Sequence, residues 1–377
     1  MTNPANAVNA VKSARRSFRW ISLAVAGAAV ASLAASALPA SAAERRPAPS
    51  AGIGTLHERH PVDEVEMAKA MAPGAVADGT MVRVTGPGVR FGKAAGAVSQ
   101  DPAASFRIGS MTKMFTSTVV LQLVAEGRFT LDTPIREILP DTIPADWAPI
   151  PVGRLLSHTS GLRGPCEPLE DNTGLTPERI VHAWTSCAVK PEFPVTGQQY
   201  NGANYFFLGL AIEKVTGRSY ADEVQRRIAR PLGLHHTYVP RSGDQHMPTP
   251  SLAAPTPKDP WAWAEGGMIS NAPDVERFMK ALLGGRLLPP AQQAQLFAKV
   301  ALPPRQKLPF SLGGLAYYTL SDGTEVWGKT GSMAQYTSGA FATADGSRVV
   351  TYSFLPGPGV TPNAEIGRVV AIVEAAL

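Results

Sequence analysis

The spacing of apolar residues changes period along this chain, and the changes mark out its elements. Residues 80–85 and 89–98 alternate polar and apolar positions on either side of Gly86-Pro87-Gly88, a pattern that predicts a β-hairpin. A first helix is predicted over residues 57–71, ended by Pro73-Gly74. From residue 110 the period becomes helical and runs through Val119, Val120, Leu123 and Val124 to Gly127, a glycine suited to a C-cap. This helix is apolar on most sides, as expected of one buried at a domain junction. Residues 131–217 read as short helices and loops, with turns at 131–135 and 152–156, a tight capped turn at 157–162, and an amphipathic helix at 206–215. Further helices are predicted at 220–228 and 272–283, separated by His235-His236 in an exposed loop and an irregular, proline-rich stretch at 244–263. Alternation then returns at 313–320, 325–329, 336–343 and 348–354, with Asp322-Gly323 and Asp345-Gly346 as hairpin turns, before a closing helix at 365–377.

Strand patterns thus lie at both ends and helical patterns between them. The predicted architecture is α/β: an antiparallel sheet built from both chain ends (57–109 and 300–377), flanked by helices, with an inserted, mainly helical domain over 110–299. Ahead of it, residues 1–42 read as an export signal peptide. Lys12, Arg15, Arg16 and Arg19 form a basic head, an alanine-rich apolar run follows, and Ala40-Ser41-Ala42 supplies a small-residue cleavage site. Arg15-Arg16-Ser17-Phe18 also resembles a twin-arginine signal, so both export routes stay open and the expected location is secreted or extracytoplasmic. Residues 43–56 read as a flexible N-terminus, and no membrane span is expected after cleavage.

Composition alters this picture in two places. The leader carries four basic and no acidic residues, so its removal takes the net charge from +5 to +1. The remaining chain has no basic stripe with interleaved aromatics, which argues against a nucleic-acid partner. The two cysteines, Cys166 and Cys187, form an even pair in a chain expected to be exported, consistent with a disulfide.

The candidate chemistry begins at Ser110-Met111-Thr112-Lys113. Residues three apart share a helical face, so the Ser110 hydroxyl and the Lys113 amine can meet. A serine hydroxyl needs an adjacent base to become a nucleophile. Lys113 can be that base only if burial or neighbouring positive charge lowers its pKa. A helix start also presents backbone N–H groups to an oxyanion. Tyr200, at a loop-to-helix junction, could relay protons if neighbouring cations depress its pKa. His158 reads as a hydrogen-bonded structural histidine. His57 and His60 lack further ligands at usable spacing and read as a surface helix start. Nothing in the sequence suggests a metal or organic cofactor.

Taken together, Ser110-Met111-Thr112-Lys113, the Tyr200 segment and Lys329-Thr330-Gly331 resemble, in order and spacing, the serine β-lactamase and penicillin-binding superfamily. The likeness is to its branch of class C β-lactamases, DD-carboxypeptidases and related esterases, and covers nearly all the chain from about residue 62. The resemblance implies that Ser110 is acylated, that Lys113 accepts its proton, and that Tyr200 relays a proton to the leaving group. It further implies that Lys329 and Thr330 bind or orient the substrate, that Gly331 lets the strand approach it, and that backbone N–H groups of Ser110 and Ser332 form the oxyanion hole. The middle motif departs from the family's Tyr-x-Asn, whose asparagine bonds the substrate amide: Gly202 stands there, so Asn201 or Asn204 is expected to substitute, or amide recognition to weaken. No Glu-x-x-Leu-Asn segment is present, which disfavours class A β-lactamases, and no G-x-S-x-G elbow, which disfavours an ordinary α/β-hydrolase.

The implied activity is a D-alanyl-D-alanine carboxypeptidase on peptidoglycan peptides, with β-lactams as acylating ligands. The alternatives are an esterase or amidase for small substrates, a class C-like β-lactamase, and a penicillin- or peptidoglycan-binding protein with little turnover.

Overall fold

The computed structural model describes residues 61–377 apart from 75, 102, 167–176, 189, 196, 242–261, 302–308, 334–335 and 358–359. The segments read as an export leader and a flexible N-terminus, His57, His60 and nearly all of the proline-rich stretch lie outside the described residues.

Helix α1 (Glu64–Met71) starts at Asp63, whose carboxylate caps it by accepting from the backbone N–H groups of Val65 and Glu66. The hairpin β1 (Ala77–Gly86) and β2 (Val89–Gly96) follows, then the short β3 (Phe106–Arg107) and α2 (Thr112–Ala125). The helical region continues with α3 (Ile135–Ile138), α4 (Val152–Leu156), α5 (Pro177–Thr185), α6 (Gly202–Thr216), α7 (Tyr220–Val224) and α8 (Arg230–Leu232). It closes with α9 (Trp263–Gly266), β4 (Ile269–Ser270), α10 (Ala272–Leu283) and α11 (Pro290–Phe297). The C-terminal part supplies β5 (Ala316–Thr319), β6 (Glu325–Met333), β7 (Tyr336–Thr343), β8 (Val349–Pro356) and α12 (Pro362–Ala376). No helix among the described residues is long and apolar enough to cross a membrane.

The sheet is antiparallel throughout, in the order β2-β1-β8-β7-β6-β5, so the N-terminal hairpin and the C-terminal strands form one layer, as the sequence predicts. Its side chains alternate between two cores. β7 sends Ala340 and Ala342 toward the helical core and Phe341 toward the core under α1 and α12; β8 divides Val349 and Val350 in the same way. β8 is buried on both faces, Thr351 and Ser353 included, which is why its polar positions do not mark a solvent face.

α2 is the buried helix expected at the junction, with its residues 112–121 and 123 all buried. Phe115 stacks on Phe278 of α10 at 3.8 Å between ring centroids. Burying such a ring contributes about 2–3 kcal/mol, so α2 is held by packing and not by helix propensity. The serine itself precedes the α-helix, in the tighter 3₁₀ turn Gly109–Met111.

Candidate active site

Gly109 has φ 52°, a left-handed conformation natural to glycine, and a Cβ there would stand 2.7 Å from the backbone nitrogen of Ser332. The turn that carries Ser110 therefore lies directly against β6. Gly331 explains the other half of this contact: its absent Cβ would stand 2.1 Å from the Ile108 carbonyl oxygen and 2.6 Å from Ser338 Oγ. The sequence reading assigned this glycine to substrate approach; the structure assigns it to the seat of the Ser110 turn on the strand.

A second set of contacts brings α9 to the same place. β3 pairs with β4, and Thr112 Oγ1 accepts from the Met268 N–H at 3.1 Å while Thr116 Oγ1 donates to the Ala264 carbonyl at 2.8 Å. These bonds clamp residues 264–268 onto the first turns of α2. Lys113, 1% exposed, then donates to Ser110 Oγ at 3.2 Å, to the Glu265 carbonyl oxygen at 2.5 Å and to Glu265 Oε2 at 2.9 Å. All three ammonium hydrogens are engaged.

This overturns the condition under which Lys113 would act as the resting base. Burial disfavours its charge, but the Glu265 carboxylate and then Tyr200 outweigh burial and raise its pKa above that of an ordinary lysine. Lys329, on β6, behaves oppositely: burial leads, and its pKa falls. Its Nζ donates to the Thr330 carbonyl at 3.0 Å and lies 4.8 Å from the centre of the Tyr200 ring. Thr330 is half-buried and Ser332 exposed along the same edge.

Tyr200 is the group on which the site converges. The Lys113 ammonium lies 5.1 Å from the centre of its ring and the Lys329 ammonium 4.8 Å. Its hydroxyl is buried, with the Ser110 hydroxyl and both ammonium groups as its polar neighbours. Burial opposes ionisation, yet Lys113, then Lys329, then the Ser110 hydroxyl outweigh it and hold the phenol below its ordinary pKa. His158 packs on the ring at 4.5 Å and Phe310 at 5.6 Å. The Phe310 backbone is tied by Gln198, which accepts from the Phe310 N–H at 2.9 Å and donates to the Phe310 carbonyl at 2.7 Å.

His158 is structural, as expected, but in an unusual posture. Its φ is 57°, and its Nδ1 faces the Asn204 amide at 3.0 Å and the Asn201 N–H at 3.3 Å. Burial, and after it Lys113 and Lys329, hold its pKa well below the usual histidine value, so the ring stays neutral.

The structure corrects the reading of the Tyr200 motif. α6 begins at Gly202, not at residue 206, because Asn201 caps it: Oδ1 accepts from the Ala203 N–H at 2.9 Å. The Asn201 amide donates to the carbonyls of Leu162 at 3.0 Å and Arg163 at 2.5 Å, so this side chain is committed to backbone and not to substrate. Asn204 is equally committed, accepting from Ser160 Oγ at 2.6 Å while its amide meets His158. Cys166 and Cys187 are paired, with Cα atoms 5.4 Å apart.

The Beta-lactamase family profile matches residues 65–371. The chain belongs to the beta-lactamase family. It is 29% identical over 275 residues to "Penicillin-binding protein 4" of Amycolatopsis lactamdurans, covering 68% of this chain and 70% of that one. It is 32% identical over 144 residues to the "Teichoic acid D-alanine hydrolase" of Staphylococcus aureus, which is 37% of this chain and 34% of that protein. The solved structure of a D-stereospecific amidohydrolase from Streptomyces sp. superposes with a TM-score of 0.71 at 31% identity, over 83% of this chain and 98% of that one. Members of this family are serine hydrolases, among them amidases, esterases and carboxypeptidases.

Three contributors to this family site escaped the sequence reading. Glu265 carried one signal, a lone charge inside the apolar stretch Trp263-Ala264-Glu265-Gly266-Gly267-Met268, and such a charge is buried only with a partner. Gln198 and Phe310 carried none, because they meet across 112 residues of chain.

Proposed function

We propose that this protein is an exported serine hydrolase that cleaves D-aminoacyl amides or esters through an acyl-enzyme on Ser110. The observation that carries the reading is the placement of Tyr200, buried within reach of two ammonium groups and of the Ser110 hydroxyl. The names of the Streptomyces and Staphylococcus relatives, both of which specify a D-centre, support the substrate class. The leader at 1–42 supports export.

In this mechanism the Tyr200 phenolate takes the proton of Ser110 Oγ as the oxygen attacks the substrate carbonyl carbon. Lys113 and Lys329 keep their protons and hold the phenolate by charge. The backbone N–H groups of Ser110 and Ser332 receive the oxyanion, each such donor worth about 3 kcal/mol in the transition state. Tyr200 then returns its proton to the leaving nitrogen or oxygen as that bond breaks. Water repeats the sequence on the acyl-serine and frees the acid. No metal or organic group is called on for any step.

A second reading, a D-alanyl-D-alanine carboxypeptidase on peptidoglycan peptides, is favoured by β6, where Lys329 and the half-buried Thr330 offer a cation and a hydroxyl to a terminal carboxylate. Intact-protein mass after incubation with a penicillin and with p-nitrophenyl acetate tests both. A covalent adduct on the wild type that is absent from Ser110→Ala supports the acyl-enzyme. Rapid penicillin loss without adduct would identify a β-lactamase, and no reaction with either reagent would leave a binding scaffold.

A further inference from the structure

Gly202 and Glu265 form a complementary pair. A Cβ on Gly202 would stand 2.6 Å from Glu265 Oε2, 2.9 Å from its carboxyl carbon and 3.3 Å from Oε1. Glu265 thus occupies the volume into which any side chain at 202 would project, beside Lys113. Residue 202 is the position at which the family pattern carries an asparagine that bonds the substrate amide. Neither neighbouring asparagine can supply that contact, since Asn201 and Asn204 are both committed to other partners.

The exchange changes the chemistry of that corner. An asparagine amide donates N–H groups, which suits a substrate carbonyl; a carboxylate only accepts. Glu265 also has one oxygen to offer. Oε2 holds Lys113, whereas Oε1 takes part in no hydrogen bond among the described residues and is not sealed from solvent, the side chain being 11% exposed. A largely buried carboxylate oxygen with no partner of its own is a receptor for a hydrogen-bond donor, and best for a cationic one.

We propose that Glu265 sets the acyl specificity of this enzyme by receiving a free α-ammonium group next to the scissile carbonyl. The preferred substrates are then aminoacyl esters or amides with an unblocked amine, in preference to N-acylated peptides such as peptidoglycan stems. The proposal rests on the acyl-enzyme reading above and selects among its substrates.

The test compares D-alanine benzyl ester with N-acetyl-D-alanine benzyl ester at pH 7, where an α-amine is largely protonated. Benzyl alcohol release is measured for the wild type, for Glu265→Gln and for the double variant Gly202→Asn/Glu265→Ala. The wild type should prefer the free amine by about tenfold or more in kcat/KM, the order expected of one charge-assisted hydrogen bond. Glu265→Gln should bring the ratio close to one, and the double variant should favour the N-acetyl ester. Loss of Lys113 positioning alone would lower both substrates in parallel and leave the ratio unchanged, which overturns the proposal. So does a wild type that prefers the N-acetyl ester, shows no preference, or turns over neither. A p-nitrophenyl acetate burst on the wild type separates the two levels: with the burst present only this proposal falls, and without it the acyl-enzyme reading falls as well.

Discussion

Lys113 and Glu265 are joined twice, through the Glu265 carbonyl oxygen at 2.5 Å and its carboxylate at 2.9 Å, although 152 residues separate them in sequence. This double contact favours the charged form of the lysine. Lys113 stays an ammonium, its field falls on Tyr200, and the phenol is acidified.

The pH profile follows from these directions. In the proposed mechanism Tyr200 acts as base when deprotonated, so kcat/KM should rise with pH through a pKa below the ordinary tyrosine value of 10.0. On the alkaline side activity falls as Lys329 loses its proton, below the ordinary lysine value of 10.5. Tyr200→Phe should lower kcat by about 10²- to 10⁴-fold and remove the rising limb. A rising limb that survives in Tyr200→Phe would show that the base is another group.

Asn201→Ala separates capping from substrate binding. It deletes the cap on α6 and two bonds to the 162–163 loop, and should destabilise by about 1–2 kcal/mol. Well below the melting temperature kcat/KM should change less than about threefold, against the tenfold or greater loss expected of a lost substrate contact. Thermal melting and steady-state kinetics on the same preparation decide between them.

Gly331→Ala forces a methyl group against the Ile108 carbonyl and Ser338, leaving the strand or the Ser110 turn to move. The expected cost is about 1–3 kcal/mol, read as a lower Tm. Acylation by p-nitrophenyl acetate should slow as well, because the displaced turn carries the nucleophile. An alanine variant with unchanged Tm would refute the seating role given to this glycine.

The Cys166–Cys187 bridge spans a sequence separation of 21, with Cys187 just beyond the end of α5. In the chain-entropy model closure of such a loop is worth about 3 kcal/mol. The Cys166→Ser/Cys187→Ser variant should therefore melt several degrees lower. The pH profile of its kcat/KM should be unchanged, since neither cysteine is among the groups that set the charges of Tyr200 and both lysines.

Much of the fold was legible because it rests on short-range pattern. The alternating strands at both chain ends, the apolar run of α2 and the turns at Gly323 and Gly346, with φ 91° and 66°, follow from local period and backbone freedom. Boundaries slipped where a side chain decided them. α6 starts four residues earlier than its apolar period indicates because Asn201 turns back onto the Ala203 N–H.

The sequence by itself determined which groups could do chemistry here: Ser110 and Lys113 three apart at a helix start, Tyr200 at a junction, and Lys329 on a late strand. Spacing along one element is enough to say that such side chains can share a face. Only the tertiary structure decided what surrounds them and which charges they meet. Charge state depends on burial and on neighbours brought from distant segments, and it was the clamp of Thr112 and Thr116 on residues 264–268 that delivered Glu265 to Lys113. The void at Gly202 acquired its meaning in the same way, from a carboxylate 63 residues further along the chain.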